Sequence, residues 1–196
     1  MPSVSVITPA IGRESLGVML KHLVPQITEG DEALVIGDGP QPISARISAV
    51  QQSPLVRYWE HPPVFNYGNP QRNAAITEAK GDYLLFVDDD DDVLPGGILT
   101  LKQVAAMHPG RPLMFKMRHL RKLLWERAFI GLGNVSGQMF VTPNVKGRVG
   151  RWSDKYAADY DFIRSTLALY PKGDSAVVWR EEILVVQGFV GPRKKN

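Results

Sequence analysis

The chain of 196 residues contains no cysteine. Disulfide frameworks, thiolate zinc sites and cysteine nucleophiles are therefore excluded. Its four histidines, His22, His61, His108 and His119, show no metal-type spacing such as HExxH. Neither the P-loop pattern nor GxGxxG occurs. Gly37-Asp38-Gly39 lacks both the later glycine and the distant acidic partner of a dinucleotide fingerprint. A bound nucleotide would thus not sit on a glycine-rich phosphate loop. No apolar run approaches the roughly 20 residues of a membrane span. No basic leader precedes the apolar residues 4–7, so no secretory signal is expected and the expected location is cytoplasmic. Charge of one sign is also scarce: 23 Lys and Arg against 20 Asp and Glu give a net charge of +3. That balance permits a phosphorylated ligand without demanding nucleic acid, which stays open as a partner.

What is present is a globular composition, 44% hydrophobic and 22% charged, long enough to bury a core within one domain. The most informative run is Asp88-Asp89-Asp90-Asp91-Asp92, directly after the apolar segment 83–87. Five like charges repel, so stability alone does not explain them. A carboxylate cluster at a strand end suits a hard divalent cation, which takes oxygen ligands from one or two carboxylates and a substrate's phosphates. Asp91 and Asp92 are expected to be solvated or to cap the next helix rather than to bind metal.

Periodicity orders the rest. Residues 4–7, 33–36, 56–59 and 83–87 read as strands, and 16–24, 43–50 and 71–79 as helices. The first helix carries Leu16, Met19, Leu20 and Leu23 on one face; the third is expected to turn Ala74, Ala75, Ile76 and Ala79 inward. Strands alternating with helices imply right-handed crossovers and a mostly parallel α/β sheet. Asp38, Arg57 and the acidic run are expected at C-terminal strand ends, which share one crevice in such a sheet. In the second half, 96–107 and 158–169 read as helices, and 113–117, 138–142, 176–179 and 183–187 as strands. The expected layout is one domain, with a nucleotide-binding half over about 1–95, an acceptor half over about 96–190 and a loose tail over 191–196. The basic stretch 116–122 is expected to be a wet face. Trp125, Trp152 and Trp179 are expected to pack in the core, with sugar stacking as the alternative.

Several blocks together resemble the GT-A glycosyltransferases, specifically the family 2 group that uses sugar nucleotides. They are Val4-Ser5-Val6-Ile7-Thr8-Pro9 through Arg13, and Leu34-Val35-Ile36-Gly37-Asp38-Gly39. Next come residues 68–76 with Arg72-Asn73, and Asp88-x-Asp90-Asp91 with Pro95 following. A further block, Ala158-Asp159-Tyr160-Asp161, resembles the family's Glu-Asp helix start, with Ala158 in place of the Glu. The resemblance implies a GT-A fold, single-domain, metal-dependent and inverting transferase. It would move a sugar from a nucleoside diphosphate sugar, UDP favoured, to a hydroxyl acceptor. Thr8, Pro9 and Arg13 would line the nucleotide pocket, Asp38 would accept from the base, and Arg72 would lie beside base or diphosphate. Asp88 and Asp89 would face ribose and metal. Asp88 and Asp90 would hold Mn²⁺ or Mg²⁺, with Asp90 the main ligand. Asp159 would be the general base, with Asp161 its competitor. Two readings remain beside this one: a nucleotidyltransferase on a related sheet, and a catalytically inactive module that binds sugar nucleotide. A homo-oligomer is compatible with the sequence.

Overall fold

The computed structural model describes residues 1–119, 122–125 and 127–188. The expected tail over 191–196 lies outside them, as do Leu120 and Arg121 of the basic stretch. Strand β1 (Val4–Ala10) is buried along its whole length, as is β2 (Glu32–Asp38). Strands buried on both faces belong to a parallel sheet with helices on each side. Those helices include α1 (Ser15–Leu23), whose apolar face Leu16, Met19, Leu20 and Leu23 is fully covered, and α2 (Ile43–Gln51). Strand β3 (Val56–His61) lies parallel to β2, and α3 (Asn69–Glu78) leads to β4 (Tyr83–Phe86), parallel to β1.

The first half therefore runs β3-β2-β1-β4. The chain builds outward from β1 on one side and then returns to its other side. The C-terminal ends of β1 and β4 flank that reversal, which is where open α/β sheets bind ligands. The acidic run follows β4 directly into it.

The second half extends the same sheet with mixed pairing. It comprises β5 (Asp91–Val93), α4 (Gly97–Met107), β6 (Leu113–His119), β7 (Lys122–Leu124), β8 (Phe140–Pro143), α5 (Ala158–Leu167) and β9 (Val178–Gln187). Beyond β4 the order is β8-β6-β9-β5, with β7 on β6. Strand β8 runs antiparallel to both β4 and β6. Aromatic rings close the core beneath the site. Trp152 stacks on Phe162 at 4.8 Å and 10°, and Phe86 meets both edge-on. Trp125 packs edge-on against Trp179. The core reading of the tryptophans holds.

Four expectations are corrected. Asp91 and Asp92 are not a solvated turn: they lie in β5, pair with Val186 and Gln187 of β9, and are buried. Segments 176–179 and 183–187 are one strand, whose register on β6 shifts around Lys116 instead of breaking. Helix α3 buries Ala75 in the apolar core and packs Ile76 and Ala79 against it as expected, but Ala74 is only half-buried, and Gln71 and Arg72 turn inward as well, Arg72 towards the crevice. Arg57 is the second residue of β3 and bonds Glu32 at the start of β2, so it sits at the opposite end of the sheet from the crevice.

Candidate active site

Two cavities adjoin at the strand ends. The first, about 460 Å³, is lined by Pro9, Ala10, Ile11 and Arg13 after β1 and by Asp38 at the end of β2. Phe65, Tyr67 and Gly68 before α3, and Asp88 to Asp90 after β4, complete most of its wall. The second, about 580 Å³, includes Gln138, Trp152, Tyr156, Asp159, Tyr160 and His119. Tyr67, Arg72, Asp88 and Gln187 line both. A ligand that filled the first would present its end to the second across Asp88 and Arg72.

Local sequence explains this placement. Gly68 caps α3 in the left-handed conformation, φ 74°, and any Cβ there would fall 2.5 Å from the Pro9 side chain. Helix α3 can therefore approach β1 only through a glycine. One turn further in, Arg72 is 5% exposed. Its guanidinium lies 4.5 Å from the centroid of the Trp152 ring, donates 2.7 Å to the Tyr67 carbonyl and pairs with Asp88. Asp88 also accepts 2.8 Å from Nε2 of Gln138. Gly137, beside Gln138, has no room for a Cβ, which would lie 2.3 Å from Trp152.

The other carboxylates are divided among separate partners. Asp89 is buried and accepts from the N–H of Ile11 at 3.0 Å and from Arg13 at 2.9 Å. Burial pushes its carboxyl up to about 6, against the pull of those donors. Asp90 is half exposed and pairs with the same Arg13 at 2.6 Å. Burial also pushes the Asp91 carboxyl up, and the charges of Asp88 and Asp90 add to it. Its Oδ2 is buried with no partner among the described residues. Asp92 lies 2.8 Å from Nδ1 of His22.

No three His, Asp or Glu side chains among the described residues converge as a complete metal nest. A Mg²⁺ or Mn²⁺ ion does not require one when substrate phosphates supply the other ligands. The donor set is one of hard oxygens: Asp88, Asp89 and Asp90 line the first cavity, and burial, with the neighbouring carboxylates adding to it, raises the Asp89 carboxyl. Asp88 and Asp90, each already facing a guanidinium, are the residues that would hold it.

Asp38 is buried and clamps a loop. Its two oxygens accept the N–H groups of Val64 at 2.8 Å and Phe65 at 3.0 Å. Phe65 and Tyr67 both take φ 50°, a left-handed conformation that is costly for bulky residues. Replacing Asp38 by Ala should free both amides and speed their hydrogen exchange. Unchanged exchange at 64 and 65 would show that the loop holds its shape without the carboxylate.

The remaining sequence candidates separate cleanly. Pro9 and Arg13 line the first cavity, whereas Thr8 is buried within β1 and does not. Asp159, in the first turn of α5, lines the second cavity and accepts the N–H of Gly137 at 3.3 Å. Asp161 instead accepts from Ser153 at 2.7 Å and is not part of that wall. Of the basic stretch, His119 also faces the second cavity, while Lys116 pairs with Glu181 and lies over Trp125.

Sequence reasoning did not find Gln138, Tyr67, Phe65 or Asn73. Asn73 holds the backbone of Trp152 by two bonds, donating to its carbonyl at 2.9 Å and accepting its N–H at 3.0 Å. Only the Arg72-Asn73 dipeptide of the family-like block hinted at it.

The chain resembles known proteins on both sequence and structure. Residues 5–112 match the model of glycosyl transferase family 2. A Campylobacter jejuni protein named GalNAc(5)-diNAcBac-PP-undecaprenol beta-1,3-glucosyltransferase is 27% identical over 111 residues, 54% of this chain and 35% of that protein. The fold is similar to S. aureus TarS, with TM-score 0.76 and 16% identity over 95% of this chain and 36% of TarS. TarS 1–349 in complex with UDP-GlcNAc gives TM-score 0.74 and 13% identity over 97% of this chain and 60% of that one. Glucosyl-3-phosphoglycerate synthase from Mycobacterium tuberculosis gives 0.71 and 13% over 97% and 73%. The chain thus spans about a third of the length of the curated relative and of TarS. It has the GT-A glycosyltransferase fold, and with the family model covering more than half its length, it belongs to glycosyl transferase family 2.

Proposed function

We propose that the chain transfers a sugar from a nucleoside diphosphate sugar, with UDP the favoured nucleotide, to an acceptor hydroxyl, inverting the anomeric carbon. The observation that carries this reading is the meeting of the two cavities at Asp88 and Arg72, with Asp159 on the wall of the second. Arg13 and Arg72 line the first cavity and suit a diphosphate. Asp38 and Phe65 offer a carboxylate and an apolar ring to a base in the same cavity. TarS, which shares the fold, forms complexes with UDP and with UDP-GlcNAc, which supports a uridine nucleotide.

In this reading the acceptor oxygen forms a bond to the anomeric carbon while the bond to the diphosphate oxygen breaks. The acceptor's proton passes to the Asp159 carboxylate. The bonding electrons leave with the nucleoside diphosphate, whose growing charge Arg13 and Arg72 offset. One displacement from the opposite face inverts the centre. A Mn²⁺ or Mg²⁺ ion held by Asp88 and Asp90 would supply Lewis-acid neutralisation of the diphosphate. No helix among the described residues is long and apolar enough to cross a membrane.

A panel of sugar nucleotides, assayed for Mn²⁺-dependent hydrolysis without acceptor, tests the class. Release of the nucleoside diphosphate from one donor, abolished by chelator, is expected. Pyrophosphate release from a nucleoside triphosphate would point to a nucleotidyltransferase instead, and binding with no turnover to an inactive module. Calorimetry tests the metal separately. A nucleoside diphosphate should bind about tenfold or more tightly with Mn²⁺ than with chelator, a difference of about 1.4 kcal/mol or more. Asp90→Asn should remove most of that gap. Equal affinity in both buffers would refute metal dependence.

A further inference from the structure

The second cavity has a character of its own. Its mouth carries Tyr67 and Tyr156, both strongly exposed, with ring centroids 5.8 Å apart and planes at 80°. Two rings near a right angle make a corner, a floor and a wall. The corner joins two loops far apart in sequence, which Asn66 and Asp154 also link by a hydrogen bond of 3.3 Å. Large exposed aromatic surface stays in water at a cost, so a pair of rings at a cavity mouth marks a binding surface. Tyrosine combines an apolar face with a hydroxyl, which suits a ligand that is apolar on one face and polar at its rim.

The charge inside points the same way. Among the described lining residues the one Arg or Lys is Arg72. Asp88 neutralises it, and Asp159 adds a further carboxylate. Arg118 sits on the alternate, exposed face of β6, while Met117 and His119 line the cavity. Among the described lining side chains an anionic acceptor finds no Arg or Lys without a carboxylate partner. Asn69, Ser136, Gln138, Gln187 and Tyr160 add neutral hydrogen-bonding groups, and His119 adds an imidazole.

We infer that the second cavity takes an uncharged sugar, its ring seated in the Tyr67–Tyr156 corner and one hydroxyl turned towards Asp159. This rests on the glycosyl-transfer reading above and names the acceptor class for it. A polyprenyl chain would want a continuous apolar trough, whereas Asp88, Gln138, Asp159 and Gln187 interrupt the apolar lining here. A phosphorylated acceptor would want an unpaired Arg or Lys, which the described lining residues do not offer.

The test separates the inference from the reading beneath it. Saturation-transfer NMR with methyl β-glucopyranoside, in the presence of UDP, reads binding without turnover. Signal transfer to the glycoside is expected, with at least fivefold less to glucose 6-phosphate. Tyr156→Ala should abolish the transfer, whereas Tyr156→Phe, which keeps the ring, should preserve it. Tyr156 is exposed, so neither variant threatens the fold. Equal or stronger transfer to the phosphorylated sugar would overturn the inference, as would a Tyr156→Ala protein that binds the glycoside normally or a wild type that binds neither sugar. Donor hydrolysis in the wild type meanwhile reports on the glycosyl-transfer reading alone.

Discussion

Asp159→Asn should cut sugar transfer by about 10²–10⁴-fold, the usual contribution of a positioned proton acceptor. The amide keeps the shape and can still accept the Gly137 N–H, so the α5 start stays in place. It can no longer take a proton. Donor affinity should hardly move, because Asp159 does not line the first cavity. Asp161→Asn is the control. Its carboxylate holds Ser153 away from the cavity wall, so turnover should stay near normal. A reversal, with Asp161→Asn inactive and Asp159→Asn active, would move the base by half a helical turn. If neither matters, the acidic start of α5 only caps a helix and the inverting mechanism loses its support.

The second large effect is on stability and lies far from the chemistry. Asp31, with a fully buried side chain, accepts from the N–H groups of Val4 and Thr28, both at 2.9 Å, and pairs with Lys102 at 2.8 Å. Asp31→Ala would leave the ammonium of Lys102 buried without its carboxylate. Breaking one partner of such a pair costs about 3–5 kcal/mol, a large share of the roughly 5–15 kcal/mol that holds a domain together. Urea unfolding measures it. Asp31→Ala combined with Lys102→Met should recover part of the loss, since the stranded charge is then gone. The pH dependence has a definite sign. Burial alone would raise the Asp31 carboxyl, but Lys102 and the hydrogen bonds from Thr28 and Val4 outweigh it and hold the pKa below its ordinary value. A depressed folded-state pKa gives stability that is complete above the unfolded value, about pH 4, and is lost as pH falls through the folded one. Wild type and Asp31→Ala should therefore converge in stability only in acid. A constant gap down to acid pH would mean that the carboxylate's charge contributes little.

Much of this molecule could be read before it was folded, and the exceptions have physical causes. Strands β1, β2 and β4 were legible because each is a largely apolar run followed by a turn or a charged segment. The acidic run was legible as the edge of the crevice because it follows an apolar strand, and Asp88, Asp89 and Asp90 do line the first cavity. Strand β5 was not, since Asp91-Asp92-Val93 has none of the composition of a strand; it pairs only because β9 offers its edge. Arg57 was misplaced because composition marks a strand without saying which end of it a residue occupies. The inner face of α3 was legible only in part, since beside Ala75 it buries Gln71 and Arg72, polar residues that apolar periodicity does not mark. Gln138 and Asn73 are single polar residues whose partners stand 50 and 79 positions away, a distance no local pattern spans.

Asn73 has one further consequence. It grips residue 152 by the backbone and ignores the side chain. A mooring of this kind is blind to sequence. The neighbouring Arg72 lines the first cavity, so consecutive residues of one helix shape that cavity and dock a loop of the second. Natural drift, or a designer, can rewrite the loop over 153–157 and still have it return to the same berth. The second cavity could then change its lining without disturbing the first.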